Sequence, residues 1–214
     1  SEQALRLGAK QPEPHRDLGL FYLARSAETL PALPEGALDE DVGRTLALLR
    51  AARLGAERDK AIEHLRKYVE RSPDDEISGF LNQLISTYEG NDTTLQNVLH
   101  LAVNQALLRG AYPLGERLLE DLEPLVGKEQ KESIRDRHEE VRRLGRTEAR
   151  IRHERANILM ATGQSAKAVE EYRAALELDP ALEKAHYNLG LALYEDGDTA
   201  GALEHLQRFL DLRA

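Results

Sequence analysis

The chain contains no cysteine. That excludes disulfides, thiolate metal ligands, c-type haem attachment and cysteine nucleophiles, and it leaves either redox environment open. No apolar run approaches the ~20 residues of a membrane-spanning helix, so no membrane insertion is expected. Positive charge is in short supply: 29 Lys and Arg stand against 38 Asp and Glu, a net charge of −9. A broad nucleic-acid or anionic-membrane surface needs the opposite balance, so no nucleic-acid partner is expected. Strand signals are missing too, because β-branched residues are sparse and no stretch alternates convincingly. There is no P-loop and no G-x-G-x-x-G. The residues from Ser1 onward show no signal-peptide pattern, which favours cytoplasm over periplasm.

What is present is a helix-forming vocabulary of Leu, Ala, Glu and Arg, punctuated by glycine and proline. The punctuation predicts about ten helices, near 13–28, 39–54, 57–71, 75–89, 93–109, 112–126, 130–162, 165–178, 182–196 and 198–212. Ser72-Pro73 and Asp179-Pro180 fit helix junctions, since proline disfavours helix before it and is tolerated in a first turn. Gly110, Gly163 and Gly197 fall between paired segments, and Leu30–Gly36 reads as a loop.

Short motifs that look chemical fail on their partners. His15-Arg16-Asp17-Leu18 matches the start of a kinase catalytic loop, but Tyr22 stands where a metal-binding Asn is needed and no nucleotide lobe precedes it. His138-Glu139 and His153-Glu154 begin like H-E-x-x-H, but Arg142 and Asn157 replace the second histidine. The remaining histidines are scattered and read as packed or solvent-facing. No catalytic residue, metal site or cofactor is expected, and the chain is not read as an enzyme.

The informative signal is internal. Gly163 and Gly197, Ala168 and Ala202, and Leu176 and Leu210 each lie 34 residues apart. One copy runs through Arg152, Arg155-Ala156, Leu159, Gly163, Ala168, Tyr172, Ala175 and Asp179-Pro180; the next reads His186-Tyr187-Asn188-Leu189-Gly190-Leu191, then Gly197-Asp198, Ala202 and Leu206. Small residues at 156, 190, 168 and 202 suit the close approach of two antiparallel helices. A 34-residue helix–turn–helix period with this pattern resembles the tetratricopeptide repeat (TPR). The resemblance implies an all-α, right-handed solenoid of helix pairs. Upstream copies are weaker. Ala61-Ile62-Glu63-His64-Leu65 through Pro73 reads as a second helix with 45–54 as its first, and His15–Leu20 reads as the start of a further degenerate copy. The expected organisation is degenerate hairpins over 1–127, a charged linking helix over 128–148 and two good repeats over 149–214. In the linking segment Ile134, Val141, Leu144, Ile151 and Ile158 form a thin apolar line. It reads as a long, mostly solvated helix; the alternative is a coiled-coil seam.

In that family the first helices of successive hairpins line a concave groove that binds protein segments. The resemblance places Arg150, His153, Asn157 and Met160 there from one repeat, and Lys184, Tyr187, Asn188, Leu191 and Tyr194 from the next. Asparagine amides can hold an extended backbone through donor and acceptor, Arg150 and Lys184 can attract carboxylates, and the tyrosines offer apolar area. A carboxylate clamp of the chaperone-binding kind is disfavoured, because His153 replaces its lysine. A second surface is expected on the last helix, where Leu203, Leu206, Phe209, Leu210 and Leu212 exceed what one hairpin can bury. Its expected partner is a protein, a second copy of the chain or a C-terminal extension. The function implied is a scaffold that binds a protein or peptide segment; the alternative is an architectural or oligomerisation module.

Overall fold

The computed structural model describes residues 13–214. The stretch 1–12, read above for a leader and as the beginning of the first hairpins, lies outside the described residues. Among the described residues there are ten α-helices and no strand. They are α1 (Glu13–Glu28), α2 (Glu40–Leu54), α3 (Arg58–Arg71), α4 (Ser78–Tyr88), α5 (Thr93–Leu108), α6 (Tyr112–Leu122), α7 (Lys128–Ala161), α8 (Ser165–Leu178), α9 (Glu183–Glu195) and α10 (Thr199–Arg213). The fold is all-α and built of antiparallel helix pairs. No described helix is long and apolar enough to cross a membrane.

Two helix boundaries depart from the sequence expectation, each for a local reason. The expected start of α4 near Asp75 moves to Ser78. The Asp75 carboxylate instead accepts from the Tyr68 hydroxyl at 2.5 Å and from the Ile77 N–H at 3.1 Å, while Ser78 Oγ donates to the Ser72 carbonyl at 2.6 Å. These bonds hold residues 72–78 as a turn. At the end of α6, Pro124 lacks the N–H that would continue the helix, and Glu123–Leu125 tightens into a 3₁₀ turn.

The chain divides into two compact units, Ser1–Ile134 and Arg135–Ala214, with the division inside α7. In the first unit α1 packs mainly on α3, α5 packs on α6, and α2 lies against α1, α4 and α5. Leu23, Leu46, Leu49, Ile62, Leu65, Leu81, Leu84, Leu99, Leu118 and Leu119 are fully buried. Each such leucine removed from water contributes roughly 1.5–3 kcal/mol before entropy is counted. In the second unit α8, α9 and the end of α7 share a cluster of Ala156, Ala168, Tyr172, Leu189 and Leu193, closed by Ala202 of α10.

The hairpin partner of α3 is a correction. The sequence reading gave it residues 45–54, within α2; the structure gives it α1. The reason is visible at the crossing. A Cβ built on Gly19 would lie 2.4 Å from Leu65 Cδ2, and one built on Gly190 would lie 2.7 Å from Leu206 Cγ. Only a glycine admits the facing leucine this closely. Gly43, the glycine of α2, faces open space. Thus α1 and α3 repeat the α9–α10 crossing, with α2 inserted in the connection.

A second feature recurs at the same place. His15 and His64 meet with Nδ1 atoms 2.9 Å apart, and His186 and His205 meet at 3.0 Å. The middle hairpin has the ion pair Arg152–Glu171, 3.5 Å apart, at the equivalent positions. These histidines are paired, not scattered. His186 Nε2–H donates to the Pro180 carbonyl at 3.1 Å, which leaves its Nδ1 to accept from His205 Nδ1–H.

Burial, then the neighbouring His64, Arg71 and Lys67, holds His15 below its ordinary value of 6.5, with Glu63 opposing. Burial, then Lys67, lowers His64, with Glu63 again opposing. Burial, then His186 and Arg173, lowers His205 against Glu204 and Asp198. A histidine with a depressed folded pKa binds its proton more readily when unfolded. Its stabilising effect is therefore complete above the ordinary value and is lost as pH falls through it. Thermal stability should be flat from about pH 8 to about pH 7 and decline toward about pH 5. The double variant His15→Gln/His205→Gln should flatten that decline. An unchanged slope in melts across the range would remove the histidine pairs as its cause.

Candidate functional site: the concave face of α7 and α9

The inner face of the second unit is built from α7 and α9, lined in part by α10. His153, Asn157, Lys184, Tyr187 and Asn188 converge on an open hollow of about 500 Å³. The sequence reading missed Glu154, Glu183 and Arg213 and gave Phe209 to the second surface; all four share its lining. One signal was available: Glu154 lies 34 residues before Asn188, and so occupies the same repeat position.

A hydrogen-bond relay fixes the polar floor. The Tyr172 hydroxyl donates to Asn157 Oδ1 at 2.7 Å. Asn188 Nδ2 donates to the same oxygen at 2.9 Å and to His153 Nε2 at 3.1 Å. With Nε2 accepting, His153 carries its proton on Nδ1, which donates to Glu154 Oε1 at 3.2 Å. Asn157 Nδ2 donates to Glu154 Oε2, also at 3.2 Å. Burial raises the Tyr172 hydroxyl above its ordinary range, which keeps it a donor.

The relay uses up most of the amide capacity that the sequence suggested would meet a ligand. Asn157 Oδ1 accepts twice and Asn188 Nδ2 donates twice. One N–H of Asn157 and the carbonyl oxygen of Asn188 remain to face the hollow. His153 is buried beneath Asn188 and the Tyr172 ring, whose centroid is 5.8 Å away. It lies in the floor of the hollow and positions Asn188. Met160 packs on the core cluster, and Arg150 lines a separate shallow hollow with Ile151 and Ile158. Leu191 and Tyr194 are exposed farther along α9.

The second surface also changes. Leu206 packs into the Gly190 notch, and Phe209 stands 5.1 Å from the Tyr187 ring, beside the hollow. The Arg213 guanidinium lies over Phe209 at 5.4 Å and pairs with Glu183 at 3.8 Å. Of the five apolar residues read on α10, Leu203 and Leu210 are the ones exposed as large apolar side chains, at 68% and 59%.

Comparison with known families joins the sequence period to this geometry. A TPR repeat profile matches residues 156–197, and a tetratricopeptide repeat profile matches 184–212. Residues 156–212 carry tetratricopeptide repeats. The TPR matches fall on α7 to α10, where the Gly190 crossing and the hollow lie. No curated protein sequence matches the chain. Two solved structures titled MamA AMB-1 and MamA MSR-1 are each 18% identical, with a TM-score of 0.26. The first alignment covers 93% of this chain and 97% of that one; the second covers 94% and 96%. TPR repeats are protein-interaction modules, and residues 156–212 carry two of them.

Proposed function

We propose that the hollow between α7 and α9 holds an extended segment of another protein. The relay is the observation that carries this reading. It presents one amide N–H and one amide oxygen, on Asn157 and Asn188, from side chains that cannot rotate without breaking bonds beneath them. One donor and one acceptor match a single peptide unit. Tyr187 and Phe209 supply apolar area beside it, and Lys184 supplies a positive charge at the rim. Pre-organised polar groups lower the entropic cost of binding.

The test uses side chains outside the relay, so that binding and folding separate. The double variant Lys184→Glu/Tyr187→Ala should keep the wild-type helical signal and lose at least about tenfold in affinity for a captured protein, as expected when a central aromatic and a charge are removed. Equal capture of the same protein by both forms would end the groove reading.

A second reading is favoured by a separate observation. Leu203 and Leu210 expose a paired apolar face on α10, which suits assembly into a larger structure or a homo-oligomer.

A further inference from the structure

Apart from Leu191, which lies beside the hollow's helix face on α9, the exposed aliphatic residues of the second unit fall at two opposite positions in the repeat stack. On α10 they are Leu203 and Leu210; on α7 they are Ile151 and Ile158, 55% and 64% exposed. Shifted by one 34-residue period, each pair lands on an internal contact. Leu203 and Leu210 are the equivalents of Val169 and Leu176, which pack on the cluster containing Leu189 and Leu193 of α9. Ile151 and Ile158 are the equivalents of Ala185 and Ala192, buried on α9 in the same stripe as Leu189. The contact between α8 and α9 is thus one interface seen whole. The two exposed faces are its separated halves.

Resting on the assembly reading above, we infer that a second copy of this chain covers these faces: the Leu203/Leu210 face of one copy stacks head to tail on the Ile151/Ile158 face of the next, in the register by which α8 packs on α9. Charge permits that pairing. The leucine stripe is flanked by Glu204, Asp211 and Arg213, and the isoleucine stripe by Arg150, Glu154 and Arg155; Arg155 and Arg213 pair with Glu171 and Glu183 of their own chain, which leaves Arg150 to face the acidic side of the leucine stripe. Size agrees as well. Isoleucines replace the internal alanines, which sets the axes toward the wide end of the roughly 8–10 Å spacing of packed helices. A contact of this kind joins two different patches, so it does not close after two copies; repeated in the register of a repeat stack it winds a superhelix, which stays open and grows with concentration.

Two variants test this on the full chain. Leu203→Glu/Leu210→Glu blocks one face, and Ile151→Glu/Ile158→Glu blocks the other; all four side chains are already exposed, and circular dichroism checks that both variants stay folded. In sedimentation over a concentration series, the wild type should pass twice the monomer mass without a plateau. Each variant alone should stay monomeric. An equimolar mixture should form a dimer and stop there, because one intact face of each kind remains. A wild type that stays monomeric at every concentration would end both this inference and the homo-oligomer reading. A wild type that saturates as a dimer, sensitive to the leucine changes only, would keep assembly through α10 and overturn the head-to-tail pairing. A mixture that stays monomeric while the wild type associates would overturn it too.

Discussion

Replacing Tyr172 with alanine should destabilise the second unit by about 3–5 kcal/mol, the usual cost of emptying a large buried aromatic site. Tyr172 is among the largest fully enclosed side chains, and its ring touches the cluster that joins α8 to α7 and α9. Its hydroxyl is also the deepest donor of the relay, 2.7 Å from Asn157 Oδ1. Tyr172→Phe separates the two roles. It keeps the ring and removes one hydrogen bond, so it should cost only about 0.5–1.5 kcal/mol. It should also weaken segment binding, because Asn157 then loses one of the two donors that fix its amide. Urea unfolding followed by circular dichroism gives the stabilities. If Tyr172→Ala costs no more than Tyr172→Phe, the ring is not a packing anchor and the relay carries the site alone.

Helix positions were legible because their causes are local. Proline, glycine and the 3.6-residue period act over a few residues, and the boundaries moved where Asp75 competes for the backbone before α4 and where Pro124 tightens the end of α6. The 34-residue period was legible for the same reason: small residues at 156, 168, 190 and 202 mark the crossings directly. The partner of α3 was not, because α2 stands between α1 and α3 in the chain and proximity in sequence pointed to the wrong helix. The matching strings His15-x-x-Leu18-Gly19 with Ala61-x-x-His64-Leu65, and His186-x-x-Leu189-Gly190 with Ala202-x-x-His205-Leu206, carried the answer. Reading them needed both halves at once. Site residues were legible as positions on a helix face, but not as contacts. Which amide hydrogens a neighbour consumes depends on three helices together, and no spacing along one of them reveals that Asn188 spends both N–H groups inward.

The glycine crossings give the sharpest test of the α1–α3 pairing. Alanine in a helix interior is favoured over glycine by about 1 kcal/mol. At Gly19 that gain meets a clash, since the new methyl would sit 2.4–2.6 Å from the end of Leu65 and 3.1 Å from the Ala61 carbonyl. Forcing a methyl into a packed site costs typically 1–3 kcal/mol, so Gly19→Ala should be net destabilising. Leu65→Ala alone should cost about 2–5 kcal/mol through the cavity it leaves. In that background the clash is gone, the added methyl fills part of the void, and Gly19→Ala should become stabilising. Gly190 and Leu206 should reverse sign in the same way, with Gly190→Ala the milder of the two because its methyl stands 2.7 Å from Leu206. Gly43→Ala is the control. It meets nothing within 4 Å, so it should stabilise by up to about 1 kcal/mol in either background. A Gly19→Ala effect that ignores the residue at 65 would mean that α1 and α3 do not cross there, and the equivalence of the two hairpins would fall with it.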